Sequence, residues 1–206
     1  ELGDLCQKKL IVEIMGKHSN IIFCSEDGTI IDSPAIAMKK RVGYVSKDRD
    51  VESLCLNASI EDNISIAGMS EFAINNFLIL KNREKKYVNH QIEELSIKCA
   101  GRDQSVSQLS GGNKQKVVFG KWIGCGSEIL ILDCPTRGVD IGVKQAMYQL
   151  MVRLKNEGKS ILMISEELPE LIGMSDRILI MKNGEVSAEF ERSETLSDAQ
   201  IIEYMI

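Results

Sequence analysis

The chain has 206 residues, 44 % hydrophobic and 27 % charged, with a formal net charge of −5. That length buries a sizeable core, enough for one domain or one domain with a lobe. The interspersed, slightly acidic charge argues against a nucleic-acid surface, and no apolar run approaches the roughly 20 residues that span a bilayer.

In chain order, Leu10, Ile11, Ile14 and Met15 recur at helical spacing before Gly16, which predicts a helix with a glycine stop. After a turn through Glu26-Asp27-Gly28, Pro34 to Lys40 reads as a short helix and Val42 to Val45 as a short buried strand. Residues 59–108 differ in kind. They carry helical spacing, as in Tyr87, Val88, Ile92 and Leu95, without a convincing strand, and predict a helical lobe. Lys81 to Lys86 is the densest basic run and reads as a solvated helix start or loop.

Leu109-Ser110-Gly111-Gly112-Asn113-Lys114-Gln115 is the most informative stretch. Two glycines and a serine at a helix start make an anion cradle, because the first amides of a helix lack internal partners and point outward. Ser110 is also placed to cap that helix. From there helix and strand alternate. Val117, Val118 and Trp122 mark a helix, Ile129 to Leu132 a strand ending at Asp133, and Ala146, Met147, Leu150, Met151 and Leu154 another helix stopped by Gly158. Ser160 to Ser165 is a second continuous apolar strand, as expected of a parallel sheet covered on both faces. Arg177 to Lys182 and Glu185 to Phe190 flank Asn183-Gly184, a hairpin signal, and Ser197 with Gln200 forms a capping box for a last helix.

Six cysteines (Cys6, Cys24, Cys55, Cys99, Cys125, Cys134) show no CxxC pair, and His18 and His90 are too isolated for a zinc site. Scattered thiols suit a reducing cytosol. No secretory leader is visible, and the chain opens without an initiator Met, as an excised piece would.

Three motifs in order resemble those of ATP-binding cassette (ABC) ATPases. Leu109 to Gln115 resembles the signature motif, Ile129 to Asp140 the Walker B strand with its D-loop, and Ser175 to Gly184 the final strand and hairpin. The asparagine-lysine-glutamine-lysine run after the glycines, and Pro135 to Asp140, are similar to the C-terminal cassette of bacterial simple-sugar importers (ribose, galactose or xylose type). The resemblance covers nearly the whole chain. It implies an α/β fold, the P-loop NTPase-like core of an ABC ATPase with a mostly parallel sheet, flanking helices and an inserted helical subdomain, its N-terminal strands missing. The implied organisation is one domain: 1–58 as a partial core, 59–112 as the signature lobe and 113–206 as the remaining core.

The resemblance further implies ATP and Mg²⁺ as cofactors. It puts Asp133 at the metal, Asp140 in the D-loop, and Ser110, Gly111, Gly112 and Gln115 toward ATP held by a partner cassette. A phosphate loop needs G-x-x-x-x-G-K-[ST], yet the register set by the following apolar residues places Gln7 at its lysine and Lys8 at its hydroxyl. Sliding by two residues gives Gly3 and Lys9 but does not rebuild the loop. Cys134 occupies the catalytic glutamate position, and a thiol is a poor general base. Ser165 and Glu166 stand near the switch histidine, and Ser46-Lys47-Asp48-Arg49 replaces the usual glutamine. Asp140 fits equally a helix N-cap. Hydrolysis at this chain's own site is therefore expected to be deficient.

The expected role is the energy-coupling subunit of a sugar importer at the cytoplasmic face of the membrane. Its partners would be a second cassette, permease subunits and, indirectly, an extracytoplasmic binding protein. The alternative is a catalytically silent cassette that completes the dimer and docks the permease.

Overall fold

The computed structural model describes residues 11–15, 20–24, 30–74, 78–183, 185–193 and 195–205. Gln7 and Lys8 lie outside them. The described residues fall into two compact units, one from the ranges Glu1–Lys40 and Ser165–Ile206, the other from Arg41–Ile164.

In the first unit, β1 (Ile11–Met15) and β2 (Asn20–Cys24) form an antiparallel hairpin in the register Ile11↔Cys24 to Met15↔Asn20. This corrects the expected helix over Leu10 to Met15. An apolar run this short satisfies the helical period and the extended one equally, and Ile11, Val12 and Ile14 are β-branched, which favours the extended form. The expected helix follows as α1 (Pro34–Lys39), with proline in its first turn where the missing N–H costs nothing.

The second unit opens with β3 (Val42–Val45) and a π turn over Arg49–Ser53. The helical lobe comprises α2 (Ile60–Ser65), α3 (Met69–Phe72) and α4 (Lys81–Glu94). Ser59 and Asp62 close a capping box at the start of α2. The lobe also holds a strand pair that the sequence pattern did not announce, β4 (Ala73–Ile74) with β5 (Leu78–Ile79), each only two residues long. A 3-10 turn over Val106–Gln108 leads into α5 (Gly111–Gly124).

Then come β6 (Ile129–Asp133), α6 (Ile141–Asn156) and β7 (Ser160–Ile164). The strands order as β3-β6-β7, all parallel, with Val42 opposite Ile129 and Ile129 opposite Ser160. The central strand β6 is buried from Ile129 to Leu132 and partly exposed only at Asp133. Val45 of β3 and Val117, Val118 and Phe119 of α5 are fully buried like Leu130 and Leu132 of β6. Burying each such side chain contributes about 1.5–3 kcal/mol before ordering entropy is subtracted.

The first unit resumes with α7 (Leu168–Met174), the hairpin β8 (Arg177–Lys182) and β9 (Glu185–Glu191), and α8 (Asp198–Ile202). Ile178, Ile180 and Ile201 form its core, with Leu168, Leu171 and Phe190 packed against them. Asn183 turns the hairpin at φ 53°, and the Gln200 side chain accepts from the Ser197 amide at 3.0 Å, both as the sequence led one to expect. No helix among the described residues is long and apolar enough to cross a membrane.

Candidate functional site

Two turns of the second unit carry the chemistry-bearing residues, the start of α5 and the segment joining β6 to α6. At the first, Ser110 is exposed and stands at the N-cap in extended backbone. Its hydroxyl does not cap the helix. It accepts instead from the Asn113 amide nitrogen at 3.0 Å, while Asn113 Oδ1 accepts from the Lys98 backbone N–H at 2.9 Å. Asn113 thus ties the exposed hydroxyl to the loop that ends the helical lobe. It is a site residue that the sequence reading passed over. Its signal was available: it is the polar residue directly after the two glycines.

Gln115, grouped with Ser110 in the sequence, is 2 % exposed and turned inward, where its Oε1 accepts from Arg49 Nη1 at 3.4 Å. Five positions of helix carry it about 140° around the axis from Ser110. Sequence proximity to the glycines masked this, because positions i and i+5 on a helix do not share a side.

The glycines have packing reasons of their own. A Cβ on Gly112 would lie 2.5 Å from Val143 Cγ2, so α6 approaches α5 only because that position is bare. A Cβ on Gly111 would lie 3.0 Å from Arg49 Nη2 and 3.7 Å from the Gly138 carbonyl oxygen. The start of α5 therefore abuts the turn after β6. Arg137, Gly138 and Asp140 in that turn are exposed, as Ser110 is. Asp140 is the N-cap of α6, its carboxylate accepting from the Val143 amide at 2.9 Å, which is one of the two roles that sequence left open.

At the end of β6, Asp133 is partly exposed and its Oδ2 accepts from the Tyr44 hydroxyl at 3.3 Å. Desolvation first, then the Asp133 charge and this hydrogen bond, push the Tyr44 phenol above its ordinary value. One oxygen of Asp133 is thus engaged and the carboxylate keeps a face to solvent. Magnesium typically takes one or two protein carboxylates and completes its shell with water and phosphate oxygens. Asp133 fits that single-carboxylate share. Among the described residues no group of three or more His, Cys, Asp or Glu side chains clusters to hold a metal unaided.

Cys134 follows at 8 % exposure with φ 46°, a left-handed backbone uncommon outside glycine. Its amide donates to the Ile164 carbonyl at 2.8 Å and its carbonyl accepts from the Arg137 amide at 3.0 Å. The side chain is enclosed where a base must reach water. Ser165 and Glu166 belong to the other unit. There the Ser165 hydroxyl donates to Glu170 Oε2 and accepts from the Glu167 amide, and Glu166 is exposed.

Comparison with known proteins accords with these features. The chain is 44 % identical over 170 residues to the ribose import ATP-binding protein of Bacillus subtilis (strain 168), covering 82 % of this chain and 34 % of that protein. The protein of the same description from Clostridium tetani is 38 % identical over 190 residues, 92 % of this chain and 37 % of its own length. That from Streptococcus agalactiae serotype III is 41 % identical over 186 residues, 90 % of this chain and 38 % of its own. The chain thus spans a little over a third of the curated relatives it matches. A different family, described as NFACT N-terminal and middle domains, matches residues 1–51. Those 51 of 206 residues cover neither α5 nor the β6–α6 turn.

Among solved structures, the ADP conformation of the ATP-binding cassette MJ1267 superposes with a TM-score of 0.69 at 20 % identity, covering 94 % of this chain and 80 % of that one. A dimeric post-hydrolysis state of the cassette MJ0796, bound to ADP and Pi, gives 0.68 at 18 %, covering 84 % and 74 %. Such identities establish the fold alone. Sequence relationship and fold together give this chain the α/β fold of ABC ATPase cassettes and a similarity, over most of its length, to part of the ribose import ATP-binding proteins.

Proposed function

We propose that this chain is one of two cassettes that energise import of a simple sugar such as ribose. It presents the start of α5 to ATP held by the other cassette, and its own hydrolytic site is deficient. The observation that carries this is the contrast in exposure: Ser110 is open to solvent beside bare glycine backbone, whereas Cys134 is enclosed. Unpaired first-turn amides and a hydroxyl stabilise phosphate charge. A buried thiol in place of a carboxylate does not deprotonate water. Gln7 and Lys8, standing where a phosphate loop needs lysine and a hydroxyl, weaken ATP and Mg²⁺ binding on this side further. Asp133 would supply the single protein carboxylate for whatever Mg²⁺ binds here.

The partners are then a second cassette, the permease subunits and, through them, an extracytoplasmic solute-binding protein, with this chain peripheral at the cytoplasmic face. The three-part organisation 1–58, 59–112 and 113–206 belongs to the same proposal. One observation favours a silent structural cassette instead: both glycines are accounted for by Val143 and Arg49 without any nucleotide.

Ser110→Arg in the full transporter separates the two. Donation across the seam predicts a loss of ATP turnover of about a hundredfold or more, the scale on which a positioned donor counts. A silent cassette predicts near-normal turnover. Counting ADP trapped per transporter with vanadate after turnover tests the deficiency: one trapped nucleotide per pair of cassettes supports it and two contradict it.

A further inference from the structure

The segment after β3 contains an ion-pair and hydrogen-bond assembly that the proposed chemistry does not use. Arg49 Nη1 donates to Gln115 Oε1 at 3.4 Å and to the Arg137 carbonyl at 3.1 Å, so one guanidinium joins α5 to the turn after β6. Its other nitrogen, Nη2, lies against the bare face of Gly111. Next to it, Asp50 Oδ2 pairs with Lys114 Nζ at 2.8 Å, and the Lys114 amide closes the first turn of α5 by donating to the Ser110 carbonyl at 2.9 Å. The Arg49 side chain is 16 % exposed and that of Lys114 14 %, while the Asp50 side chain is 40 % exposed, so the two cations are shielded and the carboxylate faces solvent in part. Gly111 and Gln115, which read in sequence as nucleotide residues, are here the floor and the anchor of an arginine.

We infer that Arg49 is a positioning residue for the Ser110–Gly112 edge, holding α5 and the Arg137–Asp140 turn in one fixed relation. The inference rests on the proposed donation of that edge to a partner's nucleotide. Guanidinium geometry is what the task requires. Nη1 alone serves both acceptors, on two elements, which leaves Nη2 of the same plane free to lie against the glycine, whereas an ammonium has one nitrogen for all three places. Because Arg49 stands behind the edge, against Gly111, and not at the proposed nucleotide, its loss affects how accurately the donors stand in the transition state more than how tightly ground-state ATP binds.

The test uses the full-length polypeptide assembled with its permease. Arg49→Lys and Gln115→Leu are each expected to lower kcat for ATP by about tenfold or more while KM stays within about twofold. The double variant should be no worse than Arg49→Lys alone, since both remove one contact. Amide hydrogen exchange of residues 109–116 in the nucleotide-free protein should quicken, with that of residues 81–94 unchanged, a readout independent of turnover. Wild-type kcat together with wild-type exchange in Arg49→Lys overturns the inference, because charge alone would then suffice. If Ser110→Arg leaves turnover intact while Arg49→Lys still loosens 109–116, the positioning holds and the donation falls. If Ser110→Arg abolishes turnover while Arg49→Lys and Gln115→Leu match wild type in both measurements, the donation holds and the positioning falls.

Discussion

The start of α5 and the end of β6 abut each other within one unit, yet they are built in opposite ways. At α5 the backbone is bare, the hydroxyl of Ser110 faces solvent, and the partners of the edge are arranged behind it: Arg49 beneath Gly111, Val143 beneath Gly112. At β6 one oxygen of Asp133 is engaged by Tyr44, and Cys134 is enclosed with its amide and carbonyl both bonded. One turn leaves bare backbone and a hydroxyl facing solvent; the other is occupied by its own chain. Different contacts hold the two, so the donation proposed for one end does not require hydrolysis at the other.

The largest expected effect breaks the open side. Gly111→Asp builds a carboxylate on the Arg49 side of the edge proposed to face a phosphate, adding like charge behind it and displacing the guanidinium, and should lower ATP turnover of the assembled transporter by about a hundredfold or more. Arg49 Nη2, 3.0 Å from the new Cβ, would pair with part of that charge, so protein stability should change little. Retained turnover with a normal melting temperature would remove the contrast between the two turns.

Restoring the closed side should do far less. Cys134→Glu supplies the carboxylate that the resemblance calls for, but in a site 8 % exposed and at φ 46°. An unpartnered buried carboxylate costs several kcal/mol or takes up a proton. The expected outcome is a lower denaturation midpoint and no second trapped nucleotide; a gain of one would show that Cys134 alone disables this end.

The third change is steric. Gly112→Ala drives a methyl to 2.5 Å from Val143 Cγ2, an overpacking that costs about 1–3 kcal/mol, and Val143→Ala in the same chain should return much of it. Urea midpoints of the four members of this cycle give the coupling directly. Additive losses would mean that α6 does not pack on that glycine.

How far the sequence carried this picture depends on the range over which each signal acts. β6 and β7 were legible because both are unalternated apolar runs, although only β6 is buried along its length and β7 stays partly exposed. The β8–β9 hairpin and the α8 cap were legible because Asn183-Gly184 and Ser197 with Gln200 act within a few residues. Ile11–Met15 was read with the wrong period because five residues cannot separate the two. The inward turn of Gln115 escaped notice for another reason: its partner Arg49 is 66 positions away, and no local pattern encodes such a contact. Asn113 was local and visible but lay between more familiar letters.

The smallest effect sharpens the comparison along α5 itself, by testing its sealed C-terminal end. There the Tyr87 hydroxyl of α4 sits where a Cβ on Gly124 would come within 2.5 Å and one on Gly68 within 2.0 Å, and it has no hydrogen-bond partner among the described residues. Burial first, then the nearby Cys125 and Glu71, raise the phenol well above its ordinary value of 10.0. The unfolded chain releases that proton near pH 10 while the folded one keeps it. Stability from the neutral phenol is therefore complete below pH 10 and is lost as pH climbs toward the folded value. Tyr87→Phe should leave stability at pH 7 unchanged or raise it by about 1 kcal/mol, since an unsatisfied hydroxyl leaves the core. It should also flatten the fall in denaturation midpoint above pH 10. A steeper alkaline fall, or a loss of several kcal/mol at neutral pH, would mean that the hydroxyl is bonded after all and that this end of α5 is held by polar contact, as its other end is by Arg49.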